Sequence, residues 1–228
     1  MNVIQHASAL SIERDGAQFH PGAFVDTRNA LHAVLSDLPR DQAGIRVTGL
    51  KALGPFLEAN GVLGAIAATT LGPGYRPVRA LFFDKTAETN WSLGWHQDRT
   101  ICVKARIEVD GYGPWTVKQG LNHVAPPFAL LERMVTLRAH LDDVPIDNAP
   151  LLIAPGSHRC GRVQVEDIQA VVDRCGTFAC VAAAGDVWAY STPILHASEA
   201  AAKPVHRRVL QVDFSADDLP GGLEWLGV

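Results

Sequence analysis

The pattern of hydrophobic and polar residues changes character near residue 76. Before that point, apolar residues recur at the three- and four-residue spacing of helices. The spacing predicts one helix over about 30–38, with Asp26 as its N-cap, and a second over about 55–69. Gly61 and Gly64 weaken the second helix, because glycine is a poor helix former. Both helices are expected to pack outside a sheet.

From Val78 onward the pattern is typical of short strands separated by Gly and Pro turn signals. One helix, over 165–175, interrupts them. The predicted strands cover 78–83, 101–107, 134–143, 151–154, 177–182, 186–190 and 205–214. Helices first and many short strands afterwards predict a mainly β protein with flanking helices. Its core is expected to be a double-stranded β-helix, or jelly roll, with the helices packed on one face.

One stretch, 110–128, is rich in Gly and Pro and is too long for an ordinary connection in a compact domain. Long loops of this kind usually bind ligands or cover sites. Trp115, Lys118, Asn122 and His123 in this stretch are therefore the first candidates for substrate contacts. The alternative is a surface excursion whose polar groups are solvated.

The chain has 228 residues, enough for one substantial core, and no Pro/Ser/Gly linker divides it. We therefore expect a single domain over 1–228, with a helical N-terminal part over about 1–75 and a jelly-roll core over about 76–216. A hydrophobic fraction of 47% and a charged fraction of 19% are typical of a globular protein.

Charge and hydropathy exclude several classes of partner. A net charge of −4 does not indicate the excess of positive charge that nucleic-acid binding requires. No apolar run is long enough to span a bilayer, and residues 1–6 lack the pattern of a signal peptide. The four cysteines are irregularly spaced, which favours reduced thiols. The expectation is a cytoplasmic protein that binds a small molecule, with no nucleic-acid or membrane partner.

The candidate chemistry begins at Trp95-His96-Gln97-Asp98. On an extended strand, residues two apart point to the same face, so His96 and Asp98 can offer a nitrogen and an oxygen to one point. His196 lies 100 residues later, a separation that only a folded sheet could close. Two histidines and one carboxylate form the facial triad typical of non-haem Fe(II) oxygenases.

An arginine that could bind a carboxylate follows the second histidine in the sequence. Arg207 opens a β-rich run 11 residues after His196. An arginine fork binds a carboxylate through two hydrogen bonds, which suits the distal end of a 2-oxo acid bound at a metal. Arg208 competes for this role, because neighbours on a strand face opposite ways. Spacing favours Arg207.

Several motifs together resemble the phytanoyl-CoA dioxygenase (PhyH) family of Fe(II)/2-oxoglutarate oxygenases. They fall in the order of the family and cover about residues 78–214. The matching segments are Trp95-His96-Gln97-Asp98, Pro155-Gly156-Ser157-His158-Arg159, Gly185-Asp186-Val187, Leu195-His196-Ala197-Ser198 and Arg207-Arg208-Val209-Leu210.

The resemblance implies Fe(II), 2-oxoglutarate and O2 as cofactor and cosubstrates, and hydroxylation of an unactivated C–H bond with release of succinate and CO2. His96, Asp98 and His196 correspond to the iron ligands. The residues that correspond to positions binding 2-oxoglutarate are Arg207, Ser198 and Lys85. Related halogenases carry Gly or Ala in place of the carboxylate ligand, so the presence of Asp98 favours hydroxylation.

The substrate is expected to be a small soluble metabolite, such as an amino acid, an acyl compound or a natural-product intermediate. Arg106, Lys118 and Arg138 are candidates for binding a carboxylate on it. One alternative function is a cupin-like metal-binding isomerase or lyase, or a protein that binds a small carboxylate without oxidising it. A non-enzymatic oligomerisation module is disfavoured, because inward-facing charges would then be buried without partners.

Overall fold

The computed structural model describes residues 7–39 and 44–228. Residues 1–6, which lack the sequence pattern of a signal peptide, lie outside the described residues. The helices are α1 (Ile12–Asp15), α2 (Arg28–Leu35), α3 (Gly54–Leu57), α4 (Val62–Leu71), α5 (Phe128–Glu132) and α6 (Ile168–Cys175). The strands are β1 (Ala17–His20), β2 (Gly44–Val47), β3 (Arg76–Lys85), β4 (Leu93–His96), β5 (Ile101–Val103), β6 (Trp115–Lys118), β7 (Leu121–Val124), β8 (Val135–His140), β9 (Leu151–Ile153), β10 (Phe178–Cys180), β11 (Val187–Ser191), β12 (His196–Ser198) and β13 (Arg207–Ser215).

The strands form antiparallel sheets with the order β1-β11-β8-β13-β3-β2, β10-β9-β12-β4 and β5-β7-β6. Strands that are distant in sequence lie side by side, as the crossing connections of a jelly roll require. The two larger sheets meet through a shared apolar cluster that contains Trp188 and Tyr190 from one sheet and Leu151 and Ile153 from the other. The predicted jelly-roll core is confirmed.

Alternation along β3 divides its side chains between a core and a cavity. Ala80 and Phe82 are buried against α2, α3 and α4 in the largest apolar cluster. Leu81 and Phe83, on the opposite face, line a cavity between the sheets. β8 and β13 divide their side chains in the same way. The sheet therefore carries its helices on one face and presents selected polar side chains to the cavity on the other.

The helices lie close to their predicted positions but differ in their ends. α2 begins at Arg28, and Asp26 lies in a preceding 3₁₀ turn over Val25–Thr27 instead of capping the helix. The predicted helix over 55–69 is two helices, α3 and α4. The backbone closes so tightly between them that a Cβ on Gly61 would lie 2.4 Å from the carbonyl oxygen of Pro55.

Helix α6 occupies a different place from α2, α3 and α4. It packs on the side of the four-stranded sheet, where Val171 and Val172 are buried in a cluster with Leu195. Thus α2, α3 and α4 pack on one face of the six-stranded sheet as expected, whereas α6 packs against the other sheet. In the part of the chain that the structure describes, no helix is both long and apolar enough to cross a membrane.

The stretch 110–128 contains a β-hairpin over 115–124, which corrects the expectation of a long loop. Strands β6 and β7 pair through a two-residue turn, and β7 also pairs with β5. Both turn residues, Gln119 and Gly120, have positive φ, as a tight hairpin turn requires. β5 ends at Val103, so the strand predicted over 101–107 is shorter than expected.

Candidate metal centre

His96, Asp98 and His196 come together at one end of the four-stranded sheet. The ligating atoms that they offer all lie within 4.8 Å of one another. His96 ends β4, His196 begins β12, and the two are register partners. Asp98 follows the end of β4, so strand alternation does not place it, contrary to the sequence argument. The path of the chain after the strand brings its carboxylate to the two rings.

Backbone carbonyls fix both histidine rings. Nδ1 of His96 lies 2.8 Å from the Gly94 oxygen, and Nδ1 of His196 lies 2.9 Å from the Ile194 oxygen. A carbonyl oxygen only accepts hydrogen bonds, so each Nδ1 carries a proton and Nε2 is the ring nitrogen left for a metal. Burial, followed by the nearby charge of His96, lowers the pKa of His196 to about 4. His196 is therefore neutral at pH 7, the form that binds metal.

Arg79 orients the carboxylate of Asp98. Its guanidinium donates to Oδ2 of Asp98 at 3.0 Å and to Oδ2 of the buried Asp213 at 2.6 Å. Thr136 donates to the other oxygen of Asp213 at 3.0 Å. Burial, the largest single influence, opposes ionisation of Asp98, but the charge and hydrogen bond of Arg79 together with the two nearby histidines outweigh it and hold the pKa of Asp98 at about 2.

These donors fit Fe(II). Two imidazole Nε2 atoms and the remaining oxygen of Asp98 are the ligand types of the facial triad, which leaves other positions open for cosubstrate and oxygen. Asp98 is ionised and His196 is neutral, so neither of these two ligands must lose a proton before a metal binds. Arg79 and Asp213 are functional residues that the sequence reasoning missed. The available signal was a charged residue between two apolar neighbours on each strand, and the fold makes Arg79 and Asp213 register partners.

A cavity of about 400 Å³ opens beside the triad. Lys85, Ser198, Arg207, Lys118 and Arg138, all candidates from the sequence, line it. The guanidinium of Arg207 lies 3.4 Å from the Ser198 hydroxyl, and Nζ of Lys85 donates to the Trp91 carbonyl at 2.9 Å. Lys85 and Arg207 are register partners on β3 and β13. The structure thus brings the predicted cosubstrate residues to one wall of the cavity.

Lys85 and Arg207 are buried, and neither pairs with a carboxylate in the described ranges. Burial, with the charge of Arg138, lowers the pKa of Arg207 to about 10. Burial and then the charges of Arg207 and Arg138 lower the pKa of Lys85 to about 7. Buried cations without partners are costly, so this wall favours an anion.

Arg208 faces away from the cavity. It donates to both oxygens of Asp142, at 2.8 Å and 2.5 Å. Of the two adjacent arginines, only Arg207 lines the cavity, because neighbouring residues on β13 point to opposite faces.

Four other predicted site residues lie outside the cavity lining, namely Arg106, Trp115, Asn122 and His123. Arg106 is exposed, pairs with Glu108 at 2.8 Å and stacks over the Trp115 ring. His123 is fully buried on β7, with Nδ1 at 3.0 Å from the Leu121 oxygen. The side chains of these residues lie within the three-stranded sheet or at the protein surface. Lys118, next to the turn of the hairpin, reaches the cavity.

Comparison with known proteins gives a family and a fold. The model of the phytanoyl-CoA dioxygenase (PhyH) family matches residues 62–209. A crystal structure of EctD from S. alaskensis with 2-oxoglutarate and 5-hydroxyectoine is similar, with a TM-score of 0.66 and 20% identity over 99% of this chain and 80% of that chain.

A crystal structure of HygX from Streptomyces hygroscopicus with nickel, 2-oxoglutarate and hygromycin B has a TM-score of 0.61 and 15% identity, covering 90% of this chain and 84% of that chain. At such identities the likeness establishes the fold. No curated protein matches in sequence.

Proposed function

Because the chain belongs to the phytanoyl-CoA dioxygenase family and is a non-haem iron, 2-oxoglutarate-dependent dioxygenase, we propose that His96, Asp98 and His196 bind its Fe(II). One observation carries this assignment. Three ligating atoms within 4.8 Å of one another border the same cavity as two buried cations without carboxylate partners in the described residues. The first feature suits a metal and the second suits the free carboxylate of a 2-oxo acid bound to it.

Arg207 is the partner of the distal carboxylate of 2-oxoglutarate in this proposal. Ser198 contributes its hydroxyl beside the guanidinium, and Lys85 adds a second positive charge from the facing strand. An anion here offsets the cost of burying both cations. Leu81 and Phe83 line the neighbouring part of the cavity and limit the access of water.

The bound iron, with 2-oxoglutarate and O2, supplies oxidative decarboxylation to succinate and CO2 and the transfer of one oxygen atom to the substrate. The chain holds and orients these groups. Carbonyls of Gly94 and Ile194 keep the two Nε2 atoms available. Arg79 keeps Asp98 ionised, so Asp98 serves as a ligand and not as a general base.

We propose that the reaction is hydroxylation of an unactivated C–H bond in a small soluble metabolite. Asp98 supports hydroxylation, because a carboxylate there fills the position that a halide would need. The cavity of about 400 Å³ suits a small molecule. The related structures of EctD and HygX hold 5-hydroxyectoine and hygromycin B, which are also small molecules. Lys118 and Arg138 are the predicted substrate residues that line this cavity.

We also propose that residues 1–228 form one domain. Strands β1 and β2 support this proposal, because they belong to the N-terminal part of the chain and pair with β11 and β3 of the jelly roll.

Replacing Arg207 by glutamine is expected to weaken 2-oxoglutarate binding by about 10- to 100-fold, the usual effect of losing hydrogen bonds to a charged group. Titration calorimetry on Ni(II)-loaded protein measures this, because nickel avoids turnover in air. The matched control is Arg208→Gln, on the next residue but the opposite face. This control substitution should leave the dissociation constant for 2-oxoglutarate within about twofold of the wild-type value. An equal effect of both substitutions, or a larger effect at Arg208, would remove Arg207 from the cosubstrate site.

A further inference from the structure

The cavity beside the triad carries far more positive than negative charge. Seven Lys and Arg side chains line it, against the single carboxylate of Asp98. Among these seven, only Arg79 pairs with a carboxylate in the part of the chain that the structure describes. The other six are Arg46, Lys85, Arg99, Lys118, Arg138 and Arg207.

Three of the six form an inner cluster, defined as Lys85, Arg138 and Arg207. Lys85 and Arg207 face each other across β3 and β13, and the charges of Arg207 and Arg138 both lower the pKa of Lys85. 2-Oxoglutarate has one free carboxylate once its 2-oxo acid end is bound to the metal. That carboxylate accounts for the inner cluster and leaves no anion for the remaining cations.

Two of the remaining cations form a mouth pair, defined as Arg46 and Lys118. They lie on β2 and β6, the edge strands of two different sheets. Gln119 joins the two edges, since its side chain accepts from the Arg46 backbone N–H at 3.3 Å and donates to the Gly44 oxygen at 3.2 Å. The mouth pair therefore flanks the gap between the sheets.

The mouth pair is separate from the inner cluster but close to the triad. Arg46 is the register partner of Leu81, four residues before Lys85 on β3. Four residues of a strand span about 13 Å. Lys118, by contrast, lies near enough to Asp98 for the carboxylate to raise its pKa, against the larger effect of burial.

The mouth pair lacks an anion in the described residues. Nε of Arg46 is buried and has no hydrogen-bond partner there. Burial, followed by the charge of Arg79, lowers the pKa of Arg46. Burial and then the charges of Arg46 and Arg79 lower the pKa of Lys118. Two cations that line one cavity from strand edges joined by Gln119 are stabilised by an oxyanion between them.

We propose that Arg46 and Lys118 bind a carboxylate or phosphate group of the substrate, so that the enzyme acts on a small anionic metabolite. This inference rests on the proposed function, because it assigns the inner cluster to 2-oxoglutarate. A substrate anchored at the mouth pair has its carbon skeleton beside the triad, on the side of Asp98. Arg46 becomes a specificity residue that the sequence did not indicate.

The test measures binding of simple oxyanions to protein whose inner cluster is already filled. Protein is loaded with Ni(II) and saturating 2-oxoglutarate, and calorimetry first records the 2-oxoglutarate binding itself. Inorganic phosphate and acetate are then titrated separately at constant ionic strength and at two 2-oxoglutarate concentrations. The variants are Arg46→Gln, Lys118→Gln and their double mutant, with Arg106→Gln as control, because Arg106 is exposed and paired with Glu108.

At least one of the two anions is expected to bind once per chain, with a dissociation constant independent of the 2-oxoglutarate concentration. In the double mutant the dissociation constant of this anion should rise by about tenfold or more, and in Arg106→Gln it should not change. The tighter anion identifies the group as carboxylate or phosphate. Absence of binding, competition with 2-oxoglutarate, or equal binding to the double mutant would overturn the inference. Failure of 2-oxoglutarate itself to bind would instead contradict the proposed function.

Discussion

Replacing His96 by alanine abolishes tight metal binding and, with it, every metal-dependent reaction of the protein. The substitution removes one of three ligating atoms and leaves two, which cannot hold the facial arrangement. Changes to residues that merely support a metal ligand cost about 10- to 100-fold in affinity, so loss of a ligand should exceed about 100-fold. Calorimetric titration with Fe(II) under anaerobic conditions measures the affinity directly, and succinate release from 2-oxoglutarate reports on the reaction.

The matched control is His206→Ala. His206 is largely exposed and its ring bonds to Asp84, away from the cavity. Its removal should leave Fe(II) affinity within about twofold. Unchanged metal affinity in His96→Ala, or retained succinate release, would show that the iron lies elsewhere.

Replacing Arg79 by methionine is expected to lower the free energy of unfolding of the metal-free protein by about 3–5 kcal/mol. Arg79 compensates Asp98 and the buried Asp213 at once, and removal of one partner of a buried ion pair leaves an uncompensated charge. Methionine retains part of the aliphatic length, so the loss reports mainly on charge. Urea unfolding at pH 7.5 with a chelator present measures the difference.

The loss of unfolding free energy in Arg79→Met should depend on pH in a defined direction. Arg79 holds the pKa of folded Asp98 at about 2, below its value in the unfolded chain, so this contribution is complete above about pH 4 and disappears as pH falls toward 2. Without Arg79 the variant resembles the wild type more closely near pH 2 than at pH 7.5. Burial raises the pKa of Asp213 and Arg79 opposes that rise, so removal of Arg79 increases the cost of ionising Asp213 at neutral pH and adds to the same trend.

Arg76→Met is the control for this prediction. Arg76 lies on the same strand, but its partner Asp218 is 87% exposed. Exposed ion pairs contribute about 0–1 kcal/mol. A loss at Arg79 no larger than the loss at Arg76, or one that grows as the pH falls, would contradict the role assigned to the buried network.

The sequence predicted the parts of the site that belong to short motifs. His96 and Asp98 lie two residues apart, and the family model matches residues 62–209, which include these two residues, His196 and Arg207. The strand over 78–83 was also predictable, because its apolar residues are numerous and its alternation is clear. The structure extends this strand to Arg76–Lys85, which adds Lys85 to its paired residues.

The hairpin over β6 and β7 was not predictable from its turn. Tight hairpins are usually marked by Asn-Gly or Asp-Gly, whereas this one has Gln119-Gly120. Gln119 adopts a φ of 50°, and contacts of its side chain with β2 hold it in place. Those contacts join residues 73 and 75 positions apart, which local patterns do not encode.

The buried charges depend on register between distant strands. Arg79 meets Asp213 because β3 pairs with β13, and Arg46 faces the cavity because β2 pairs with β3. In the sequence each is one charged residue among apolar neighbours, with no motif to single it out. Only the assembled sheet shows that one arginine is paired and that the other has no carboxylate partner in the described ranges.

An anaerobic titration tests the central claim, that this cavity binds Fe(II) and 2-oxoglutarate together at His96, Asp98 and His196. Fe(II) and then 2-oxoglutarate are added to purified protein, and the visible charge-transfer absorption of a 2-oxo acid chelated to Fe(II) is recorded. The band should develop in the wild type and be absent from His96→Ala. A wild-type protein that binds Fe(II) but gives no band would contradict the claim and favour a cupin-like metal protein.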